Sequence, residues 1–463
     1  MRRAMALATA MGVAVTLAVP TTARAAPAPS WQACGGHGAE CTTVDVPLNW
    51  ARPNGERISL AVSRLSAADP ARRIGVLFVN PGGPGGPAVP LVRDAPREVF
   101  PASLRERFDI VGVDPRGVGE SRPAITCPKP PYDPEVTHHP KTPGQFRALV
   151  AYNREVAESC RRATGPLIDH VDTISAAKDF DVVRAALRAD KVNWLGLSYG
   201  TLLGATYAQL FPSRVRAAVL DGAMDHTVGA RRLASDEARS TEDVFDEFAR
   251  WCATTSSCAL RGRDVKAEYR ALLARADLHG IPAEGVPEGI TAEQIGYGVY
   301  TALYLTGDWP KLSEILRDVM VPDPDAAIFS RVGSDAAYRV IGCHDFPSDV
   351  RTFADLAARQ REARLLAPVT RGYVEGWDIQ AGCTGWPIRP ANPWSRLDVR
   401  NAENVLVVSG EHDPATPRVW GDGLVRQIRG ARHLVWSGIG HTAFFNDPAT
   451  VRREVDHLVD AAR

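Results

Sequence analysis

The chain has 463 residues, of which 45% are hydrophobic and 23% are charged. This composition excludes a disordered or collagen-like protein and allows a large hydrophobic core. The 54 basic side chains balance the 54 acidic ones, so the chain lacks the basic field that attracts nucleic acid or an anionic membrane surface. We therefore expect no nucleic-acid partner.

The first 25 residues have the organisation of a signal peptide. Arg2 and Arg3 precede an apolar run over 4–19, and the sequence Ala-Arg-Ala at 23–25 provides a small-residue cleavage site. An uncleaved membrane anchor is the alternative, but the run is shorter than the about 20 residues that span a bilayer. We expect cleavage after Ala25, secretion, and no stable insertion into a membrane.

All eight cysteines follow the predicted cleavage site. An even number of cysteines in a chain bound for an oxidising compartment indicates disulfides. A zinc site is the alternative, but neither the CxxC nor the HExxH spacing occurs, and we expect no metal and no cofactor. Proximity along the chain suggests four pairs: Cys34 with Cys41, Cys127 with Cys160, Cys252 with Cys258, and Cys343 with Cys383.

From residue 43 onward, strand and helix patterns alternate. A polar-faced hairpin is predicted from 43–49 and 57–65, with a turn at 53–55. Continuous apolar runs then predict strands that are buried on both faces of a sheet. These runs and the helical segments between them lie at 74–79, 108–113, 143–162, 173–189, 192–197, 201–211, 215–220, 405–409, 433–436 and 448–461. Their order predicts a parallel sheet with crossover helices.

The alternation stops after the strand at 215–220. From about 225 to 393 the chain is mostly helical in pattern. We therefore predict a core in two parts, 26–224 and 394–463, with a helical insertion over 225–393 between them. An insertion at this point lies over the carboxyl ends of the strands, where open α/β sheets bind ligands.

The sequence Gly196-Leu197-Ser198-Tyr199-Gly200 stands between a predicted buried strand and a predicted helix. It fits the G-x-S-x-G elbow, a sharp turn that raises a serine above the sheet of an α/β-hydrolase. The two glycines are needed because a side chain at either position would clash with neighbouring backbone. We predict that Ser198 is a nucleophile.

A nucleophilic serine needs a base that takes its proton and an acid that orients the base. Asp413 and His441 follow two consecutive predicted strands downstream of Ser198, in the chain order that this fold requires. His412 is the alternative base. Asp221 is an alternative acid, and Glu411 is a weaker one.

The tetrahedral intermediate of such a reaction needs backbone N–H donors that point at its oxyanion. Tyr199, directly after the nucleophile, is predicted to supply one of them. The glycine-rich loop at 80–86 is predicted to supply the other from Gly83, with Gly82 as the second choice. A phosphate-binding loop is the alternative, but the Lys-Ser/Thr ending of such a loop is missing.

Five segments together resemble one branch of the α/β-hydrolases. They are NPGGPGG at 80–86, DPRGVGES at 114–121, GLSYGT at 196–201, SGEHDPATP at 409–417 and GHT at 440–442. The chain is similar to the proline iminopeptidases and tripeptidyl aminopeptidases, and most to the secreted actinobacterial tripeptidyl aminopeptidases. The resemblance implies an α/β-hydrolase fold, with a mostly parallel sheet, helices on both faces and a helical cap insertion.

The resemblance also implies a triad of Ser198, Asp413 and His441 that releases short, tripeptide-sized fragments from peptides with a free N-terminus. Iminopeptidases usually have His-Gly-Gly-Pro where this chain has Pro-Gly-Gly-Pro at 81–84, so proline specificity is not implied. A carboxylesterase with the same triad is the alternative. A non-catalytic binding protein would have lost a triad residue, and none is lost.

An aminopeptidase must also bind the α-ammonium group of its substrate, which requires a carboxylate at a fixed distance from Ser198. Asp345, Glu375, Asp378 and Glu411 are candidates. The sequence leaves the choice among them open, and it leaves the oligomeric state open as well.

Overall fold

The computed structural model describes residues 29–331, 335–400 and 404–461. The predicted signal peptide at 1–25 lies outside the described residues. Within these ranges, no helix combines the length and the apolar character needed to cross a membrane.

Within the described residues, nine strands form one sheet in the order β1-β2-β3-β5-β4-β6-β7-β10-β11, and β8 pairs with β9 in a separate hairpin. The three strands at one edge are antiparallel, and the six from β5 to β11 are parallel. The strands are β1 (Gln32–Cys34), β2 (Ala39–Pro47), β3 (Arg57–Leu65), β4 (Gly75–Asn80), β5 (Phe108–Val113), β6 (Val192–Leu197), β7 (Val215–Asp221), β8 (Ile281–Ala283), β9 (Val286–Ile290), β10 (Val405–His412) and β11 (Arg432–Ile439).

The central strands are buried on both faces, as their uninterrupted apolar runs predict. Along β4, Val76 and Phe78 belong to one hydrophobic cluster, and Leu77 and Val79 belong to a second one. Because successive side chains of a strand point to opposite faces, the two clusters lie on opposite faces of the sheet. Helices cover both faces, which confirms the predicted α/β-hydrolase architecture.

The helices, in chain order, fill the connections between the strands. They are α1 (Val89–Arg93), α2 (Pro96–Val99), α3 (Ala102–Arg107), α4 (Pro143–Thr164), α5 (Thr173–Ala186), α6 (Tyr199–Leu210), α7 (Gly229–Thr254), α8 (Val265–His279), α9 (Ala292–Ala302), α10 (Trp309–Val319), α11 (Ala336–Asp345), α12 (Phe353–Leu366), α13 (Glu375–Gly382), α14 (Arg418–Val425), α15 (Ala443–Asn446) and α16 (Pro448–Asp460).

The segment between β7 and β10 contains the helices α7 to α13 and the small hairpin of β8 and β9. We call residues 229–382 the cap. Much of the cap has a hydrophobic cluster of its own, built from α7 to α10 and the hairpin. The sequence patterns predict its helical character but miss the hairpin. The domain limits at 224 and 393 stay predictions.

All eight cysteines lie in the described ranges, and each takes part in a disulfide. The pairs are those that proximity along the chain predicts: Cys34 with Cys41, Cys127 with Cys160, Cys252 with Cys258, and Cys343 with Cys383. The last pair joins α11 to the end of α13, two cap segments that border the candidate site.

Candidate active site

Ser198 occupies the sharp turn between β6 and α6. Its φ of 56° and ψ of −126° lie in a backbone region that residues other than glycine rarely adopt. The glycines on either side make this turn possible. A Cβ on Gly196 would lie 2.3 Å from the carbonyl oxygen of Gly200, and a Cβ on Gly200 would lie 2.5 Å from that of Asn80.

The backbone of Ser198 is fixed, while its hydroxyl is left free. The Ser198 N–H donates to the Asp221 carbonyl oxygen at 2.8 Å. The side chain is partly exposed, and its hydroxyl makes no hydrogen bond to another described residue. A serine held in this way presents an unpartnered oxygen above the carboxyl end of the sheet.

Asp413 and His441 are brought together as predicted. The Nδ1 atom of His441 lies 3.0 Å and 3.1 Å from the two carboxylate oxygens of Asp413. The Nε2 atom of the same ring has no hydrogen-bond partner among the described residues. The ring also borders Gly222, because a Cβ on Gly222 would lie 3.3 Å from the His441 Cε1 atom. Gly222 follows Asp221, so His441 and Ser198 approach the same turn after β7.

The carboxylate of Asp413 is fully buried and receives several hydrogen bonds. Its Oδ1 atom accepts from the N–H groups of Ala415 and Thr416, each at 2.9 Å, and its Oδ2 atom accepts from the Thr416 hydroxyl at 2.8 Å. Burial disfavours the charged form, but His441 and Thr416 outweigh it and hold the pKa of Asp413 below its ordinary value.

The protonation of His441 is set by opposing effects. Burial disfavours the imidazolium, but the carboxylates of Asp413, Glu375 and Asp221 raise the pKa of His441 above its ordinary value. The imidazole is therefore a stronger base than a free histidine side chain.

The alternative base and acids have other partners. Nδ1 of His412 lies 2.6 Å from Asp243 on α7, which turns this ring toward the cap. The carboxylate of Asp221 accepts from the N–H groups of Ala443 and Phe444, at 3.1 Å and 2.8 Å, and holds the start of α15. Glu411 is exposed.

The glycine loop at 80–86 lies against the elbow. A Cβ on Gly82 would lie 3.0 Å from the Tyr199 nitrogen and 2.9 Å from the Ser198 Cβ. The N–H of Gly82 itself donates to the Asn80 side chain at 3.1 Å. The N–H groups of Gly83 and Tyr199 have no hydrogen-bond partner in the described part of the chain, so both remain available as oxyanion donors. Their role stays a prediction.

The segment DPRG at 114–117 has a structural role beside this loop. Asp114 accepts from the N–H groups of Ala88 and Val89, at 2.8 Å and 2.9 Å, just after the glycine loop. Arg116 is buried and pairs with Asp179 through two hydrogen bonds. Asp114 therefore holds the chain directly after the glycine loop, and Arg116 joins the 114–117 segment to α5.

The sequence patterns do not reveal the cap residues that hold the segments of Asp413 and His441. The carbonyl oxygen of Tyr304 accepts from the His441 N–H at 2.8 Å, and the Tyr304 ring lies 4.9 Å from the imidazole. The Ser240 hydroxyl donates to the Asp413 carbonyl at 2.5 Å. No sequence motif marks these contacts, since they depend on how the cap folds back onto the core.

Two of the four candidate carboxylates for an ammonium group are already satisfied. Asp345 is fully buried and accepts from Thr173, Tyr199 and Asn392. The carboxylate of Asp378 accepts two hydrogen bonds from Arg339, at 2.9 Å and 2.8 Å. The exposed Glu411 is not part of the lining of the cavity between the glycine loop and the cap.

Glu375 is the remaining candidate, and its carboxylate interacts electrostatically with the imidazole of His441. Burial raises the pKa of Glu375 to about 7, although His441 and the Tyr304 hydroxyl oppose this shift. No arginine or lysine among the described residues neutralises it. Glu375 therefore offers an uncompensated carboxylate close to the imidazole.

Glu375 also lines a cavity of about 720 Å³ between the glycine loop and the cap. This volume is within the range of about 300 to 1,000 Å³ that small-molecule sites occupy. Ser198 and His441 do not line the cavity themselves, but Gly85 and Gly86 of the glycine loop and Glu375 do. Most of its other walls are apolar or aromatic, including Tyr132, Tyr297, Leu312, Ile315, Phe329 and Tyr338.

The model of the α/β-hydrolase fold family matches residues 75–448. The chain therefore belongs to the α/β-hydrolase fold family, and its relatives support the coarser description of a serine hydrolase. The solved structure of proline iminopeptidase from Mycobacterium smegmatis is 18% identical, with a TM-score of 0.38 over 91% of this chain and 100% of that one.

Three characterised relatives cover most of the chain. Serine protease Hip1 of Mycobacterium tuberculosis is 33% identical over 89% of this chain and 84% of its own length. Tripeptidyl aminopeptidase of Streptomyces coelicolor is 30% identical over 85% of this chain and 75% of its own length. Carboxylesterase B of Mycobacterium tuberculosis is 32% identical over 93% of this chain and 88% of its own length. The predicted resemblance to tripeptidyl aminopeptidases is confirmed.

Replacing Asp413 with Asn tests the coupling between the acid and the imidazole. Because the carboxylate raises the pKa of His441, we expect Asp413→Asn to lower that pKa, so that the ring loses its proton at a lower pH. An NMR titration of the imidazole measures the pKa of His441. Asp243→Asn, which removes the partner of His412, is the control and should leave His441 unchanged. An unchanged or higher pKa of His441 in Asp413→Asn contradicts the coupling.

Proposed function

We propose that the protein is a secreted serine exopeptidase that releases short N-terminal fragments, of tripeptide length, from peptides. Ser198 is the nucleophile, His441 the general base and then the general acid, and Asp413 the group that orients His441. The hydrogen bond between Asp413 and His441 and the unpartnered Ser198 hydroxyl support these roles. No metal or cofactor takes part in this reaction.

In the first step, the Ser198 oxygen attacks the carbonyl carbon of the scissile peptide bond while His441 Nε2 takes the hydroxyl proton. The carbon–nitrogen bond then breaks, and the imidazolium gives its proton to the leaving amine. A water molecule hydrolyses the acyl-serine by the same route, with His441 again as the base. The proton balance closes, because each proton that His441 accepts is returned to a leaving group.

The N–H groups of Gly83 and Tyr199 stabilise the oxyanion of both tetrahedral intermediates. A donor of this kind typically contributes about 3 kcal/mol to the transition state. Tyr199 is the first residue of α6, so the positive end of the helix dipole adds to the effect. Gly82 does not serve, because its N–H is engaged by Asn80.

Glu375 carries the assignment of an aminopeptidase. Its carboxylate lies in the wall of the cavity beside the triad histidine, where it attracts the α-ammonium group of a peptide. A carboxylate that lacks a cationic partner is costly in a partly buried position, and a bound ammonium group removes that cost. The endopeptidase and esterase reactions need no such group.

Secretion rests on two features of the chain. The N-terminal segment has the charge, apolar run and small-residue site of a signal peptide. Four disulfides support folding in an oxidising compartment. The partners that follow from this function are peptides with a free N-terminus.

A carboxylesterase is the second candidate, because one relative of this chain carries that name. The same triad and oxyanion donors cleave esters as well as amides. The difference between the two functions is the requirement for a free amine. An esterase has no use for Glu375 as a ligand.

A digest of mixed synthetic peptides, followed by mass spectrometry, tests the reaction class and the length of the products. We expect tripeptides from the N-termini of free peptides and no cleavage of the matching N-acetylated peptides, since an acetylated amine carries no charge for Glu375. Equal cleavage of the acetylated peptides would show an endopeptidase or an esterase-like enzyme, and dipeptide products would correct the length.

Replacing Glu375 with Gln tests the ammonium site directly. We expect kcat/KM for an unblocked tripeptidyl anilide to fall about tenfold or more, because a buried hydrogen bond to a charged group contributes about 1.5 to 3 kcal/mol. Hydrolysis of a small neutral ester should fall less than hydrolysis of the anilide, because the ester reports only the effect of Glu375 on the pKa of His441. Glu411→Gln, which alters an exposed glutamate beside the triad acid, is the matched control. Equal losses on the anilide and the ester would contradict the role of Glu375.

A further inference from the structure

Three tyrosines in the cavity wall, Tyr132, Tyr297 and Tyr338, have hydroxyl groups without a hydrogen-bond partner among the described residues. Tyr297 of α9 is 7% exposed, and Tyr338 belongs to the first turn of α11. Within the described residues, both phenolic oxygens are buried and form no hydrogen bond. A buried hydroxyl left unpaired costs about 1 to 3 kcal/mol. Groups of this kind in the wall of a cavity point to a ligand that pairs with them.

The surroundings of these hydroxyls define the polar groups that they can bind. Burial raises the pKa of Tyr297 and of Tyr338. The carboxylates of Asp378 and Glu293 add to this shift at Tyr297, and those of Glu375 and Asp378 add to it at Tyr338, so both phenols keep their protons. A neutral phenol both donates and accepts a hydrogen bond. It therefore suits the C=O and N–H groups of a peptide backbone. Arg339 neutralises the carboxylate of Asp378 through two hydrogen bonds.

The opposite part of the wall is apolar. Leu312 and Ile315 of α10 and the nearby Phe329 line it, and Leu312 and Phe329 are themselves almost fully buried. Such a wall stabilises an apolar side chain by roughly 25 cal/mol for each Å² of apolar surface that it removes from water. A charged side chain placed there loses its hydration without gaining a partner.

We propose that the Tyr297 and Tyr338 hydroxyls bind the backbone of the substrate's N-terminal segment, and that the apolar wall selects an uncharged side chain within it. The inference rests on the proposed function, since it takes the ligand of the cavity to be the N-terminal segment of a peptide. It assigns the cavity a preference: apolar peptides of varied sequence bind, and peptides with an acidic residue in this segment bind poorly.

Binding to a Ser198→Ala variant tests the proposal without turnover. The probe is alanyl-leucyl-alanyl-alanine, and calorimetry measures its Kd for this variant and for versions that also carry Tyr297→Phe or Tyr338→Phe. We expect each tyrosine replacement to raise the Kd about two- to tenfold, because one hydrogen bond contributes about 0.5 to 1.5 kcal/mol. Tyr269→Phe is the matched control, since Tyr269 is buried in the same cap but does not line the cavity.

The melting temperature separates a ligand-binding role from a structural one. Removing a hydroxyl that has no partner relieves its desolvation cost, so Tyr297→Phe and Tyr338→Phe should melt at the same temperature as the parent or higher. In the active enzyme, the same replacements should raise KM and leave kcat almost unchanged. A Kd that stays within the error of the control for both variants overturns the proposal, and so does a lowered melting temperature with unchanged binding.

Two further peptides complete the test. With alanyl-glutamyl-alanyl-alanine, the Kd should be at least tenfold higher than with the leucyl peptide, and equal affinities would overturn the proposed selection by the apolar wall.

The N-acetylated leucyl peptide separates this proposal from the proposed function. If acetylation leaves the Kd unchanged while the tyrosine variants weaken binding, the exopeptidase assignment fails and the tyrosine subsite stands. If acetylation abolishes binding and the tyrosine variants do not weaken it, the tyrosine subsite fails and the exopeptidase assignment stands.

Discussion

The site depends on a buried hydrogen-bonded pair, the carboxylate of Asp413 and the imidazole of His441. A carboxylate taken out of water has to be hydrogen-bonded, or it gains a proton and loses its charge. Asp413 meets this requirement with two backbone N–H groups, the Thr416 hydroxyl and His441 itself. The charge that results raises the pKa of His441. The imidazole is therefore a stronger base than a free histidine side chain because of how the loop after β10 is folded.

The cap contacts the segments that carry Asp413 and His441. Ser240 binds the backbone of Asp413, and Tyr304 binds the backbone of His441. Asp345, at the end of α11, accepts a hydrogen bond from the Tyr199 hydroxyl, one residue after Ser198. The same cap supplies most of the cavity wall. Substrate selection and the alignment of the proposed triad are therefore carried by one set of helices.

The sequence predicted the core of this fold more completely than the site. Parallel strands buried on both faces leave long apolar runs, and the elbow needs glycines at fixed positions, so β4 to β7 and Ser198 could be predicted. The order of Asp413 and His441 followed from consecutive strands. The choice of Glu375 among four carboxylates could not be predicted, because it depends on which of them already has a partner. The contact of Tyr304 with His441 likewise needs the packed cap.

Site-specific labelling with a fluorophosphonate tests the central claim, that a base of this site activates Ser198. Peptide mapping by mass spectrometry should place a single adduct on Ser198 in the native protein at neutral pH. The label should be absent from Ser198→Ala and slow to form in His441→Ala. An adduct on another serine, or undiminished labelling of Ser198→Ala, would contradict the account.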